Sequence, residues 1–323
     1  MTRFPRRAPA FAAVAAVAVL AAAGCSAGRP VSTAPLAGAA DPVAVAPQRA
    51  DPSTWTLPMQ AYRPTAEQDR TITDAETTLV ERCLAGFGVA WRPPAELPPI
   101  GPRNLLDWRY GIHDRAAAAA YGYQVDPRQQ ARYDAALRAE EQRPGLAPDA
   151  QIALAGTDAP PELLAQAGPE ARRGRVAGRK VPAGGCLGEA RRTLGSDTRG
   201  VSPLVQRLTN SSYPQSMAAP AVKAVFARWS ACMRAKGFTY PAPMAANDDP
   251  QFRPRPQGPS AKEIATAVAD IDCRVAHRVA ETWHTAEAAA QRRSIADHAG
   301  ELAADRRALD AVVHKARAVL ARP

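Results

Sequence analysis

Cys83, Cys186, Cys232 and Cys273 are the residues whose chemistry is most open to reading from spacing. No two of them stand at the short Cys-x-x-Cys spacing of a zinc site. An even number points instead to two disulfides, provided the N-terminal residues direct the chain to an oxidising compartment. The histidines offer less. His277, Glu281 and His284 fall on one helical stretch. Two histidines seven residues apart are about 10 Å distant along a helix, too far for one ion without further ligands. A solvated polar stripe is the better account. His113-Asp114 beside Arg115 can be written as an acid–base pair, but Asp114 reads first as a helix N-cap. Asp248-Asp249 lies in a Pro-rich stretch and reads as a turn. The chain has no Gly-x-Ser-x-Gly, phosphate loop or dinucleotide fingerprint. No catalytic residue, metal ligand or cofactor is nominated.

The fifth cysteine, Cys25, has a different setting. Arg3, Arg6 and Arg7 precede an uncharged apolar run from Ala10 to Ala23, and Ala22-Ala23-Gly24 leads into Cys25. The run has the length of a signal-peptide core and is short for a membrane span. Small residues followed by cysteine at this place resemble the lipobox of bacterial lipoproteins. That resemblance implies a thiol that receives a diacylglycerol and becomes the new N-terminus after cleavage. Residues 1–24 are therefore expected to be a lipoprotein signal peptide. Cys25 is expected to be the lipidation site, joining the chain to membrane lipid on the outer face of the cell membrane. Two acyl chains hold where one is marginal, each buried CH₂ contributing about 0.8 kcal/mol.

Loss of Arg3, Arg6 and Arg7 with the leader takes the formal net charge from +10 to +7. Nucleic acid is the usual partner of such a chain inside a cell. Outside it, the expected partners are anionic wall polymer, lipid head groups or an envelope protein. Residues 25–51 are Ala, Pro, Gly, Val, Ser and Thr without periodicity and read as a flexible tether, reaching on the order of 30 Å.

One twelve-residue phrase occurs twice, as CLAGFGVAWRPP from Cys83 and CMRAKGFTYPAP from Cys232. Each follows an apolar helical stripe: Ile72, Leu79, Val80, Leu84 and Phe87 in the first, Val222, Val225, Phe226, Trp229 and Met233 in the second. Gly88 and Gly237 stand where a helix is left through positive φ. Trp91 and Tyr240 then fold back, and Pro94 and Pro243 prevent resumption. Thr65 with Gln68, and Ser260 with Glu263, form capping-box signatures.

The phrase marks an internal duplication: a first helical half over 52–195 and a second over 196–323. The expected fold is mainly α, with disulfide-stapled helical domains, Pro/Gly-rich loops and a long C-terminal helix. Cys83–Cys186 with Cys232–Cys273 is the preferred pairing, and Cys83–Cys232 is the main rival. WTLPMQAYRP, from Trp55, is expected to run extended over the first helix. Residues 143–185, with ARRGRVAGRK at their centre, are expected to be a basic exposed or partly disordered loop. A loop is also expected around Asn210-Ser-Ser-Tyr-Pro. The last sixty residues would make a helix of about 90 Å if straight, so a break is expected near Trp283 or Gly300. Beyond it Leu302, Leu309, Val313 and Ala316 follow a coiled-coil-like spacing.

LPMQAYRPT, the two Cys phrases, GGCLGEARRTL and ATAVADIDC resemble a group of uncharacterised lipoproteins and secreted proteins of actinomycete bacteria. That resemblance implies an envelope location and no known activity. The function expected from the sequence is a non-catalytic, lipid-anchored envelope protein that binds or scaffolds another component. The alternatives are an enzyme or accessory acting on wall polymers, or a small-ligand or metal sensor at His277–His284.

Overall fold

The computed structural model describes residues 51–322 apart from Pro256. These belong to one compact unit. The expectations for the leader, Cys25 and most of the tether lie outside the described residues.

The fold is mainly helical. The helices are α1 (Ala66–Ala85), α2 (Arg115–Tyr121), α3 (Pro127–Glu141), α4 (Pro148–Ala155), α5 (Pro161–Gln166) and α6 (Pro169–Arg172). A short hairpin, β1 (Arg175–Val176) with β2 (Arg179–Lys180), comes next. Then follow α7 (Gly185–Leu194), α8 (Pro203–Ala218), α9 (Pro220–Ala235), α10 (Pro243–Asn247), α11 (Ala261–His277), α12 (Val279–Asp297) and α13 (Ala299–Leu320). No described helix is long and apolar enough to cross a membrane.

Local signals set many of these bounds. Thr65 and Gln68 cap α1 reciprocally. Gly88 and Gly237 both leave their helices at positive φ, +73° and +88°. Ser260 caps α11 through the Glu263 N–H. The Glu263 carboxylate, however, does not return to Ser260. It is buried and accepts from the Tyr123 N–H and Gln124 Nε2. The long C-terminal segment is broken twice. Arg278 adopts φ +52° between α11 and α12, five residues before Trp283, and His298 separates α12 from α13 just before Gly300.

Two disulfides close the fold, Cys83–Cys186 and Cys232–Cys273, with Cα–Cα distances of 5.7 and 5.8 Å. The first joins the last turn of α1 to the start of α7. The second joins α9 to α11. The apolar core is distributed around them. Val80, Leu84, Phe87, Ile152, Ala171, Val176 and Val181 pack beside the first bridge. Val225, Trp229, Met233, Ala246 and Ala269 pack beside the second. The two ends of the described chain also meet: Ile72 and Ala75 of α1 pack against Leu309, Val312, Val313 and Ala316 of α13.

Three expectations are corrected. Residues 143–185 are folded, carrying α4, α5, α6 and the hairpin, with Ile152, Ala171, Val176 and Val181 buried. Pro148, Pro161 and Pro169 looked like breakers but occupy the first position of their helices. There proline lacks only an N–H that has no helical partner. The stretch around Asn210 is the middle of α8, which carries Pro214 inside it. Thr209, Ser212 and Ser216 donate back to carbonyls of the same helix around this proline. The segment after Trp55 forms a 3₁₀ turn, Pro58–Tyr62, on α8, α12 and α13 rather than an extended run over α1. Met59 is the reason. Its side chain packs with Leu204, Val205, Leu208 and Leu302, and its N–H is taken by Gln291 Oε1 at 2.9 Å.

Candidate functional site

Two surface features and one buried network gather the polar chemistry of the molecule. The first feature is a cleft of about 640 Å³ between the start of the globular region and α2, lined in part by Asp51, Arg103, Asp107, Trp108, His113 and Tyr121. Its polar end is built from local turns. Asn104 Oδ1 accepts from the Leu106 and Asp107 N–H groups and fixes the bend that carries Asp107. Asp107 Oδ1 lies 2.7 Å from His113 Nε2. Asp51 Oδ1 lies 3.9 Å from the same nitrogen. Asp51, Asp107 and His113 are thus close enough to surround a cation. Arg103 already stands there: its Nη2 donates to Asp51 Oδ1 and to Asp107 Oδ1, both at 2.8 Å.

Protonation follows from this geometry. Burial works to raise the Asp107 carboxyl. Arg103 through its side chain and its backbone N–H, together with His113, outweighs that and holds Asp107 well below the usual carboxylate range. Ser53 and then Arg103 lower Asp51. Both carboxylates therefore stay ionised. Hydrolysis of a glycosidic bond by a carboxyl pair needs one of the two held protonated, and this pair is tuned the other way. With Arg103 already between the two carboxylates, the arrangement is left to offer acceptors to a hydroxyl-rich group.

A depressed carboxyl links stability to acid. Asp107 contributes stability that is fully present above its unfolded value, 3.8, and is lost as pH falls below that value toward the folded one. Thermal melts of the parent and of Asp107→Asn are expected to show the parent higher at pH 7. The gap should narrow progressively as pH falls from 4 to 2. A constant gap across that range removes the ionised Asp107 as its source.

The second feature is a groove of about 780 Å³ beside the hairpin. Arg172, Arg173, Arg175, Lys180 and Arg192 line it together with Thr157. The hairpin turns through Ala177 and Gly178, at φ +48° and +73°, the primed geometry that matches strand twist. Val176 and Val181 anchor its inner side in the core around the first disulfide. Arg179, opposite Val176, is on this same protein-facing side: it donates to the Gly86 carbonyl at the end of α1 and lies over Phe87.

The network is internal. Arg109 donates to both oxygens of Glu287, and Tyr110 Oη and Ser212 Oγ also donate to that carboxylate. Burial, then the Glu287 charge, push the Tyr110 phenol far above its ordinary range, so it remains a donor. Nearby, Asp270 accepts from Arg274, Trp229 Nε1 and Tyr123 Oη. Arg274 Nη1 donates to the Tyr110 carbonyl, which links the two clusters. Gly111 makes room for this guanidinium, since a Cβ there would overlap Arg274 Nη1.

The residues singled out by sequence fall as follows. Asp114 caps α2, accepting from the Ala116 and Ala117 N–H groups. His113 turns away from it to Asp107. His284 Nε2 is 2.8 Å from the Thr56 carbonyl, with its ring 4.8 Å from Trp55, so it serves as a cover for the Trp55 ring. Asp249 caps the turn Pro250–Phe252 and accepts from Tyr240 Oη. Asp51, Arg103 and Asp107 were not singled out, and no spacing announces them, because Asp51 and Asp107 stand 56 residues apart. No family model, no curated protein and no solved structure matches this chain.

Proposed function

We propose that the chain is a lipid-anchored protein of the cell envelope, held on the outer face of the membrane through Cys25. Its helical unit binds or scaffolds another envelope component without catalysis. The observation that carries this reading is the N-terminal order: Arg3, Arg6 and Arg7, the apolar run to Ala23, then Gly24-Cys25. The two disulfides support an oxidising compartment. The basic groove supports an anionic partner there. Kinship with the actinomycete lipoprotein and secreted-protein group belongs to the same proposal.

The cleft at Asp51, Asp107 and His113 favours a second reading, an enzyme or accessory acting on wall polymers. The ionised state of both carboxylates weighs against glycosidic hydrolysis by that pair.

The test is fractionation of cells expressing the whole chain. The parent is expected in the membrane fraction, and mass spectrometry of its N-terminal peptide should find diacylglycerol on Cys25. Cys25→Ser should keep its uncleaved leader and carry no lipid. An unmodified Cys25 in the mature parent would sink the anchor.

A further inference from the structure

We propose that the groove beside the hairpin is the binding site for a linear polyanion, a polymer whose repeating charge is a phosphate or carboxylate oxyanion. This rests on the envelope location proposed above and names the chemistry of the partner. Three observations carry it.

The first is the cross-strand register. Arg175 stands directly opposite Lys180, and both are exposed. Like charges at directly opposed positions destabilise a strand pair. A two-stranded ribbon has little stability to spare. A hairpin that only had to fold would place a neutral or opposite pair here. The cost of the repulsion is offset when an anion lies between the two cations.

The second is the absence of internal neutralisation. Among the described residues, Arg172, Arg175, Lys180 and Arg192 form no ion pair, and no carboxylate lines the groove. Arg173 alone has an acidic neighbour, Glu170 at 3.9 Å, with both side chains exposed. The contacts that do exist are to carbonyls: Arg175 Nη2 donates to Gly178 O and Arg192 Nη1 to Ala183 O. Each fixes a guanidinium and leaves its other N–H groups free for an oxyanion. Arg179 is spent on the end of α1, which makes the division of labour within the hairpin plain: one face holds the protein, the other presents charge.

The third is shape. The cations come from three elements, α6, the hairpin and α7, and they surround a trench rather than crown a bulge. The hydrophobic residues of the hairpin region, Val176 and Val181, face inward and are buried. A membrane surface is better met by a convex patch with apolar residues that insert. A groove lined by cations from three elements fits an extended chain.

The test uses the full chain purified in detergent with its disulfides intact. Labelled long-chain polyphosphate and labelled polygalacturonate are titrated separately, with binding read by fluorescence anisotropy at low and at physiological ionic strength. At least one polymer is expected to bind, with affinity that falls as salt rises. Phosphate-only or uronate-only binding names the source of the oxyanion; both outcomes support the site. Arg175→Gln with Lys180→Gln is expected to weaken binding about tenfold. Its Tm should equal or exceed that of the parent, because the cross-strand repulsion is gone. Arg172→Gln with Arg192→Gln, which leaves the hairpin sequence intact, should weaken binding to a similar degree. The proposal is overturned if neither polymer binds, if either double variant keeps full affinity, or if anionic phospholipid vesicles bind more tightly than both polymers. Membrane fractionation of the Cys25→Ser variant reads the anchor separately, so failure of one proposal is distinguishable from failure of the other.

Discussion

Glu287→Ala is expected to destabilise the protein by about 3–5 kcal/mol, measured by urea unfolding at pH 7. Glu287 is fully buried and accepts from Arg109, Tyr110 and Ser212. Truncating it leaves a mostly buried guanidinium without its counter-charge and the Tyr110 hydroxyl without its acceptor, while Ser212 keeps the Thr209 carbonyl. Desolvation of each group then stands uncompensated, which is why removing one partner of a buried pair does more harm than removing both. The companion variant separates these effects. Arg109→Met with Glu287→Met replaces the pair by apolar side chains and is expected to recover much of the loss. A double-mutant cycle over the parent, Arg109→Met, Glu287→Met and the double variant gives the coupling directly. Domains are commonly stable by only 5–15 kcal/mol, so the single variant should also lower yield and raise protease sensitivity. A loss below about 1 kcal/mol for Glu287→Ala would mean that the network is more solvated than its geometry indicates.

The same network marks the limit of what the sequence could convey. Helix ends were legible because their causes are local. Thr65 with Gln68, Gly88, Asp114 and Gly237 each act within a few residues of their own position. The apolar faces of α1 and α9 were legible for the same reason. The charged part of the buried face of α11 was not, since Glu263, Asp270 and Arg274 sit at helical spacing among Thr266, Ala267 and Ile271 and are all buried. A charged residue reads as a solvent face until its partner is known. The partners of these come from Tyr110, Tyr123 and Trp229, far away in the chain.

Prolines misled in the opposite direction. Pro148, Pro161 and Pro169 begin helices, and without periodic apolar residues after them they looked like punctuation of a loop. The basic character of 172–180 was visible. That it is displayed on a folded hairpin with Arg175 facing Lys180 was not, because only tertiary packing of Val176 and Val181 makes a two-residue strand pair stable. The Asp51–Arg103–Asp107–His113 cluster depends on one contact across 52 positions and has no sequence signature at all.

Loss of the Cys83–Cys186 bridge, as Cys83→Ser with Cys186→Ser, is expected to have the other large effect. The bridge spans 103 positions, and the chain-entropy relation gives about 4.7 kcal/mol at 25 °C for a loop of that size. The Cys232–Cys273 bridge spans 41 and gives about 3.9 kcal/mol. The difference between them is small, and the sharper distinction is local. Cys186 is buried in the cluster that contains Val176 and Val181, so the first bridge holds the base of the hairpin. The second lies among Trp229, Met233 and Ala269 and touches none of it. Limited trypsin digestion under native conditions should therefore discriminate. Without the first bridge, cleavage within Arg172–Lys180 should accelerate more than global destabilisation predicts, and polyanion binding should weaken with it. Without the second, the same bonds should be cut only as fast as the whole unit opens. Equal acceleration in the two variants would show that the hairpin is held by its own packing on α4 and α6, and the bridge would then act only through the unfolded chain.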